Sequence, residues 1–212
     1  MKRILSILLI SVLTMMFAGC ATTSDEQAIK QLEPLKVSQR KTLAVLPYDF
    51  KDYDLTYQGL ESGLVDLTIN YFFSTQRLVL VERTRLNAIA QELKYSSSAL
   101  VSTEHALKIG EQAGAGYVFL GAVTSIKPIA HRKTIGVAYI NTKGFDVTLT
   151  GRIIDIEKGV VVASATAKGV EIKKKKVAFG ATTGSIDPDD TLIRNALQKA
   201  SKILTNDLAS QL

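Results

Sequence analysis

The only cysteine of this 212-residue chain lies at position 20, directly after an apolar leader, and this placement limits how the chain can be stabilised. Lys2 and Arg3 precede an apolar run over residues 4–18 that ends at Gly19 and Cys20. This pattern is typical of a secretory signal peptide, which has a cationic start, an apolar core too short for a stable membrane span, and small residues before the processing point. Because one cysteine cannot form an intrachain disulfide, the folded part depends on packing.

The residues before the cysteine indicate the kind of signal. Phe17-Ala18-Gly19-Cys20 resembles the lipobox of bacterial lipoproteins, with Phe17 where leucine is usual. In that motif the thiol is alkylated by diacylglycerol, and palmitate-type chains hold the protein at a bilayer, since each buried methylene contributes about 0.8 kcal/mol. We therefore predict lipidation at Cys20 and removal of residues 1–19. Ala21 replaces the aspartate that favours inner-membrane retention in such lipoproteins, which indicates the outer membrane, facing the periplasm.

Composition sets the size of the folded part and argues against a nucleic-acid partner. Without the 19-residue leader the 212 residues leave 193, enough for one domain. The chain has 26 lysines and arginines, of which 24 remain after the leader against 20 acids, a net charge of +4. This excess is mild, and without clustered basic and aromatic residues it does not indicate a nucleic-acid partner.

Apolar periodicity predicts alternating strands and helices. Residues 41–50 and 78–81 are short apolar runs typical of buried strands, and residues 58–75 have helical spacing, with Phe72 and Phe73 at the helix end. Three further helices are predicted, with Thr84, Thr103 and Asp187 as N-caps and Pro188 in the first turn of the last one. Residues 117–126 predict a third strand.

After residue 126 the apolar period changes to two, which indicates antiparallel strands. Asn141–Gly144 predicts the turn of a hairpin, and residues 157–159 predict another turn. A second hairpin is predicted within residues 168–186, with the lysine run Lys173–Lys176 either at its solvated tip or in contact with anionic lipid headgroups.

The pattern predicts an α/β domain over residues 41–212, with a mixed sheet flanked by helices and a closing amphipathic helix. Residues 20–40 are polar and contain Pro34, so we interpret them as the lipidated cysteine and a flexible tether.

Four segments occur in the order found in the CsgG family of outer-membrane lipoproteins, the curli production assembly and transport components. They are KTLAVLPYDF, LVLVERTRLNAIAQEL, EHALKIGEQAGAGYVFLGAVTSI and GRIIDIEKGVVVAS. The chain resembles this family over most of residues 41–167. The resemblance implies a periplasmic α/β domain that self-associates as a ring and, in the founding secretion channel, contributes two membrane-inserted hairpins per protomer.

The predicted hairpins fit membrane insertion poorly. A spanning strand needs about 9–11 residues with one apolar face, and a lysine facing lipid near the midplane costs about 2–4 kcal/mol. His131, Arg132 and Lys133 interrupt the first hairpin, and Lys173–Lys176 charge both faces of the second in either register.

Catalytic and metal-binding patterns are missing from the sequence. His105 and His131 have no acids at metal-ligand spacing, and Gly114-Ala115-Gly116 precedes a strand where phosphate binding needs a helix. The acids around Pro188, namely Asp187, Asp189 and Asp190, are interpreted as helix-dipole partners. Tyr48, Tyr53 and Tyr57 are interpreted as local packing. We predict no enzyme activity, no cofactor, no metal and no small-molecule substrate.

The sequence therefore predicts a non-enzymatic, outer-membrane-anchored lipoprotein of the CsgG family that binds envelope proteins in assembly or export, with self-association into a ring. Two alternatives stay open. One is an oligomeric curli-type secretion channel whose hairpins insert. The other is a lipoprotein activator of a penicillin-binding protein.

Overall fold

The computed structural model describes residues 31–50, 59–95 and 102–212. A short 3-10 turn over Val37–Gln39 precedes the first strand. The strands are β1 (Lys41–Val45), β2 (Asp49–Phe50), β3 (Leu78–Leu80), β4 (Tyr117–Ile135), β5 (Ala138–Asp155), β6 (Val160–Ala178) and β7 (Ala181–Thr183). The helices are α1 (Leu60–Ser74), α2 (Arg83–Glu92), α3 (Thr103–Gln112) and α4 (Asp189–Ala209).

All strands belong to one mixed sheet, in the order β3-β1-β4-β5-β6-β7, with β2 paired to β4 beyond β1. β1 runs parallel to both β3 and β4, whereas β4, β5, β6 and β7 pair antiparallel in succession. This is the mixed sheet with flanking helices that the sequence predicts.

Helices cover the two faces of the sheet unequally. Leu43 and Val45 of β1 pack toward α1 and α4, while Ala44 and Leu46 pack toward α2 and α3. Because both faces of the sheet are covered here, the run Leu43–Leu46 is apolar at every position. The cluster with α1 and α4 is the larger of the two and includes Phe72 and Phe119, which meet edge to face with ring centroids 5.4 Å apart.

The closing helix α4 lies against β5 and β6 because glycines let it approach the strands. A Cβ at Gly169 would overlap the carbonyl oxygen of Ala196 and come within 2.6 Å of the Ala200 nitrogen. A Cβ at Gly151 would come within 3.2 Å of Leu204 and Leu208. The strand sequence is therefore adapted to the helix backbone and not only to its side chains.

The first predicted hairpin turn was wrong in position, whereas the predicted turn at residues 157–159 and a second hairpin within residues 168–186 are confirmed. Asn141–Gly144 lies inside β5, and the chain turns at Gly136 and Val137, where Gly136 has a φ of +55°. Gly144 serves a close approach instead, since a Cβ there would overlap the Glu171 carbonyl oxygen of β6. The lysine run is not a hairpin tip either: it is part of β6, and the turn follows at Phe179 and Gly180.

The predicted helix caps were also wrong. α2 follows Glu82 and α3 follows Ser102, so Thr84 and Thr103 lie within the first turns, and neither preceding residue makes a side-chain cap. α4 begins at Asp189, after Pro188, and the carboxylate of Asp187 contacts the Lys173 ammonium at 3.4 Å. Phe73 does not seal α1, since 71% of it is exposed.

The described part of the predicted tether contacts the fold. Leu35 donates a backbone hydrogen bond to Gln76, and Arg77 donates to the Glu33 carbonyl at 3.0 Å. Arg40 donates to the Leu35 carbonyl at 2.9 Å. Residues 33–40 are thus bound beside the start of β1, so this part of the predicted tether is not free.

Candidate functional site

Three long strands continue past the core and form a projecting sheet that we call the ribbon, made of residues 127–143 and 172–183. The outermost core residues on these strands are Val123, Phe145 and Ala167. Beyond them β4, β5 and β6 remain paired to their ends, through Ile135 with Ala138 and Tyr139 with Val177. The ribbon is therefore a hydrogen-bonded extension of the sheet.

Both hairpin turns of the ribbon lie at the same end, because Tyr139 pairs with Val177. This end carries exposed apolar side chains: Ile135 is 70% exposed, Val137 71% and Phe179 89%. We call these three residues the apolar tip. Apolar side chains that protrude together from hairpin turns are unusual on a surface that faces only water.

The ribbon and its immediate surroundings are strongly basic. Residues 127–145 and 172–186 contain no aspartate or glutamate. They contain cations at several positions on all three long strands: Lys127, Arg132, Lys133, Lys143, Lys173, Lys174, Lys175 and Lys176.

One face of the ribbon is partly neutralised, because α4 and the residues before it bring acids to it. Lys143 pairs with Asp189, and Lys173 lies 3.4 Å from Asp187 and 3.6 Å from Glu171. Lys199 of α4 contacts Glu171 at 2.9 Å. These ion pairs join the start of α4 to β5 and β6.

The ion pairs shift the titration of two side chains. Burial by itself raises the pKa of Glu171, but the hydrogen bond and charge of Lys199, together with Lys173, outweigh it and hold the pKa below its ordinary value. The hydrogen bond and charge of Asp187 raise the pKa of Lys173. Both groups are therefore charged at neutral pH.

The opposite face of the ribbon and adjoining sheet is not covered by α4, and we call it the outer face. Successive residues of a strand alternate between faces, so Lys174 and Lys176 point away from Glu171 and Lys173. Within the described ranges, five outer-face lysines form no ion pair, and Asp146 lies opposite one of them, Lys127. The five are Lys127, Lys133, Lys168, Lys174 and Lys176.

Apolar residues lie among these lysines. Gly144 pairs with Ile129 on one side and Ile172 on the other, and Ile140 pairs with Lys133 and Lys176. Ile172 is 43% exposed and Val170 is 40% exposed. The outer face is consequently both basic and partly apolar.

The other predicted positions do not assemble into a site. Cys20, Tyr53 and Tyr57 lie outside the described residues. Tyr48 is buried, and this burial raises the pKa of its hydroxyl, although the hydroxyl also lies 2.8 Å from Thr68 Oγ1 in a hydrogen bond that acts in the opposite direction. Its ring also packs edge to face on Phe119.

The two histidines and the Gly114–Gly116 segment likewise do not form a site. His105 stacks on Tyr95 with ring centroids 4.1 Å apart, and His131 lies on the exposed ribbon. Gly114, with a φ of +68°, ends α3 as predicted, and no helix N-terminus follows it before β4. Among the residues with described positions, no three histidine, cysteine or acidic side chains form a metal-binding group.

Sequence reasoning singled out the lysine run but did not separate its two faces. The signal was present as alternation along Lys173–Lys176, but the position of α4 decides which lysines are paired. No helix in the described ranges is long and apolar enough to cross a membrane.

The fold defines the class: an α/β domain with a mixed sheet and helices on both faces. The family model described as curli production assembly/transport component CsgG matches residues 26–212, so the chain belongs to the CsgG family. The comparison with curated proteins gives no significant match.

Several solved structures are similar. The LpoB C-terminal domain from Salmonella enterica has 15% identity and a TM-score of 0.44, with 65% of this chain and 87% of that chain covered. A PelC dodecamer from Paraburkholderia phytofirmans has 14% identity and a TM-score of 0.40, covering 84% and 96%. A putative neuraminyllactose-binding hemagglutinin homolog from Helicobacter pylori has 12% identity and a TM-score of 0.44, covering 87% and 94%.

Proposed function

We propose that this protein is a non-enzymatic assembly or export component of the cell envelope, anchored to the periplasmic side of the outer membrane by lipid on Cys20. The observation that carries the proposal is the family match over residues 26–212, which begins shortly after the lipobox-like sequence. The family's description as an assembly and transport component supports the functional class. The lipid would fix the domain at the bilayer, and residues 20–32 would set its reach.

Self-association is part of the proposal, because the sheet ends in two incompletely paired edges. β3 forms one edge, where Val79 is 41% exposed. On the other side, β7 pairs with β6 only at Lys176, Val177 and Ala178. Two different edges on one protomer permit head-to-tail contact between copies, which closes into a ring when the rotation per copy allows it.

Part of the β6 edge is protected, and this defines where a second copy would bind. The side chain of Gln211 makes two hydrogen bonds of 3.1 Å with the backbone of Ser164. Lys199 donates to the Val170 carbonyl at 3.1 Å. The stretch between these contacts, centred on Thr166 and Lys168, is paired to β5 alone among the described strands.

The ribbon argues against the secretion-channel alternative. Arg132 and Lys175 lie on the face toward α4, whereas Lys133 and Lys174 lie on the outer face. Either face would therefore place cations in lipid at about 2–4 kcal/mol each near the bilayer midplane. We infer that the hairpins stay outside the hydrocarbon core.

Two measurements in cells test the anchor. A radioactive fatty acid should label the native protein, the label should be lost in Cys20→Ala, and membrane fractionation should place the labelled form with the outer membrane. Unlabelled native protein that stays in the soluble periplasmic fraction would refute the anchor.

The ring is tested separately by photo-cross-linking in cells. A photo-reactive residue at Val79 or Thr166 should give a ladder of multimers of this chain, whereas the same residue at Phe73, which is exposed on α1, should not. Products limited to the monomer at both edges would contradict self-association.

A further inference from the structure

We propose that the outer face and apolar tip of the ribbon bind an anionic lipid bilayer, as a second membrane contact beside the lipid anchor. The lysines of the outer face would contact the headgroups, and the apolar tip would enter the headgroup boundary without crossing the membrane. The contact itself needs only the ribbon. Its orientation rests on the proposed lipid at Cys20.

The charge on the outer face is available to a ligand. Lys133, Lys174 and Lys176 lie near the tip and form no ion pair with any described acid, in contrast to Lys143 and Lys173 on the other face. Lys133 and Lys176 both pair with Ile140, so they lie across one strand from each other. Like charges held this closely favour an anionic surface over water.

The apolar tip distinguishes a bilayer from a purely acidic protein partner. Ile135, Val137 and Phe179 protrude from two adjacent turns, beyond the last lysines of the strands. When apolar groups are in front and cations are behind them, the apolar groups can enter the acyl boundary while the cations stay among the headgroups. An acidic protein would need charge complementarity but would leave this apolar tip in water.

The contact cannot be a transmembrane span. Lys133 lies two residues from Ile135, and Lys176 lies three residues from Phe179, so charge begins immediately behind the tip. A spanning strand needs about 9–11 residues with an apolar face. The ribbon therefore binds at the surface.

The chain length before the fold sets the orientation. Leu43 pairs with Tyr117, so the chain enters the sheet at the end opposite the tip, and the 19 residues of β4 separate the two ends by about 60 Å. Cys20 lies 13 positions before Glu33, so the chain between them reaches at most about 45 Å. If the lipid and the tip share one bilayer, the strands must be inclined, and the unpaired lysines of the outer face make it the face that turns toward the headgroups.

Vesicle flotation of the chain from Ala21 to Leu212, which lacks the lipid, tests the contact. Both core clusters are built from residues 43–208, so this form keeps the whole core. It should bind vesicles that contain phosphatidylglycerol and should not bind pure phosphatidylcholine vesicles. Binding should fall steeply as salt increases because the headgroup attraction is screened.

Two triple variants with the same net charge separate local from overall electrostatics. K133E/K174E/K176E should weaken binding on the order of a hundredfold or more, since each basic residue near an anionic surface contributes about fivefold. K36E/K158E/K202E, at exposed lysines away from the ribbon, should bind far more tightly than the first variant. Equal binding by the two variants would overturn the proposal, and so would equal binding to both lipid compositions or no binding at low salt.

Tryptophan fluorescence tests the depth, because the chain has no tryptophan of its own. With phosphatidylglycerol vesicles, Phe179→Trp should shift its emission to the blue and resist an aqueous quencher, while Phe73→Trp should not change. Ile172→Trp should be partly protected if the outer face lies toward the bilayer. An unshifted Phe179→Trp spectrum on bound vesicles would overturn insertion of the tip.

These outcomes are distinguishable from failure of the proposed function. Vesicle binding is measured without the lipid, whereas fatty-acid labelling and fractionation are measured on the native chain. A labelled outer-membrane protein whose ribbon binds no vesicles would refute this contact and leave the anchor intact.

Discussion

Substitution of Gly169 by alanine should be among the most destabilising small changes available to this fold. The added Cβ would overlap the Ala196 carbonyl oxygen and lie 2.6 Å from the Ala200 nitrogen. Both atoms belong to the backbone of α4, so no side-chain rotation can relieve the contact. The helix would have to move away from β6.

The expected loss of stability depends on how far α4 must move to make room for the added atom. Added atoms in a packed core typically cost about 1–3 kcal/mol, and a rigid backbone on the other side puts this case at about 3 kcal/mol. For a domain of this size each kcal/mol changes the melting temperature by roughly 2–4 °C, so Gly169→Ala should melt roughly 6–12 °C lower. Leu192, Leu204 and Leu208, all fully buried, would lose packing as α4 shifts.

Urea and thermal unfolding followed by far-ultraviolet circular dichroism measure the effect. Gly63→Ala is the matched control: Gly63 lies within α1, and apart from the backbone of that helix the nearest atom to its added Cβ is at the end of the Arg194 side chain, 4.0 Å away. That variant should gain up to about 1 kcal/mol from helix propensity. A loss below about 1 kcal/mol in Gly169→Ala would refute the close helix–strand contact.

Three further predictions test the core and the ion pairs. Phe72→Ala should cost about 3–5 kcal/mol in urea unfolding because Phe72 is fully buried, whereas Phe73→Ala, at an exposed position, should stay within about 0.5 kcal/mol of the parent. Tyr48→Phe should cost about 1 kcal/mol by the same measurement, since it removes a buried hydroxyl hydrogen bond; an unchanged midpoint would contradict that bond. Glu171→Gln removes a carboxylate whose pKa is lowered by Lys199. Its stabilisation is therefore present above the ordinary carboxylate pKa and is lost as pH falls through the lowered one. The stability difference between parent and Glu171→Gln should shrink from pH 7 to pH 3, and a difference that grows would contradict this sign.

The order of elements was predictable because it depends on local patterns. The apolar run at Leu43–Leu46 and the spacing of Leu60, Leu64 and Phe72 are short-range signals of a buried strand and an amphipathic helix. The resemblance in the order of four segments supplied the family, which the match over residues 26–212 confirms.

The errors concern features that depend on distant partners. Asn141–Gly144 has turn composition, yet Gly144 is required by the carbonyl of Glu171 on a neighbouring strand. Asp187 has cap composition, yet its carboxylate contacts Lys173. Local composition cannot show these contacts, because the first is created when β5 and β6 pair and the second when the residues before α4 reach β6.

The lysine run shows the same principle, and it yields a final prediction. Four consecutive lysines in a strand must alternate between faces, so α4 can neutralise only those on its own side. Lys173 lies between Asp187 and Glu171, whereas Lys174 contacts no described acid. Lys173→Glu would place like charges together at the start of α4 and should lower the unfolding midpoint.

Lys174→Glu is the neighbouring comparison, with the same change in charge. It should leave the unfolding midpoint close to that of the parent, because no ion pair is lost, and it should weaken binding to phosphatidylglycerol vesicles. If the two variants lost stability equally, the run would be a uniformly solvated strand. The assignment of one face to folding and the other to binding would then be wrong, since it requires adjacent residues to respond differently.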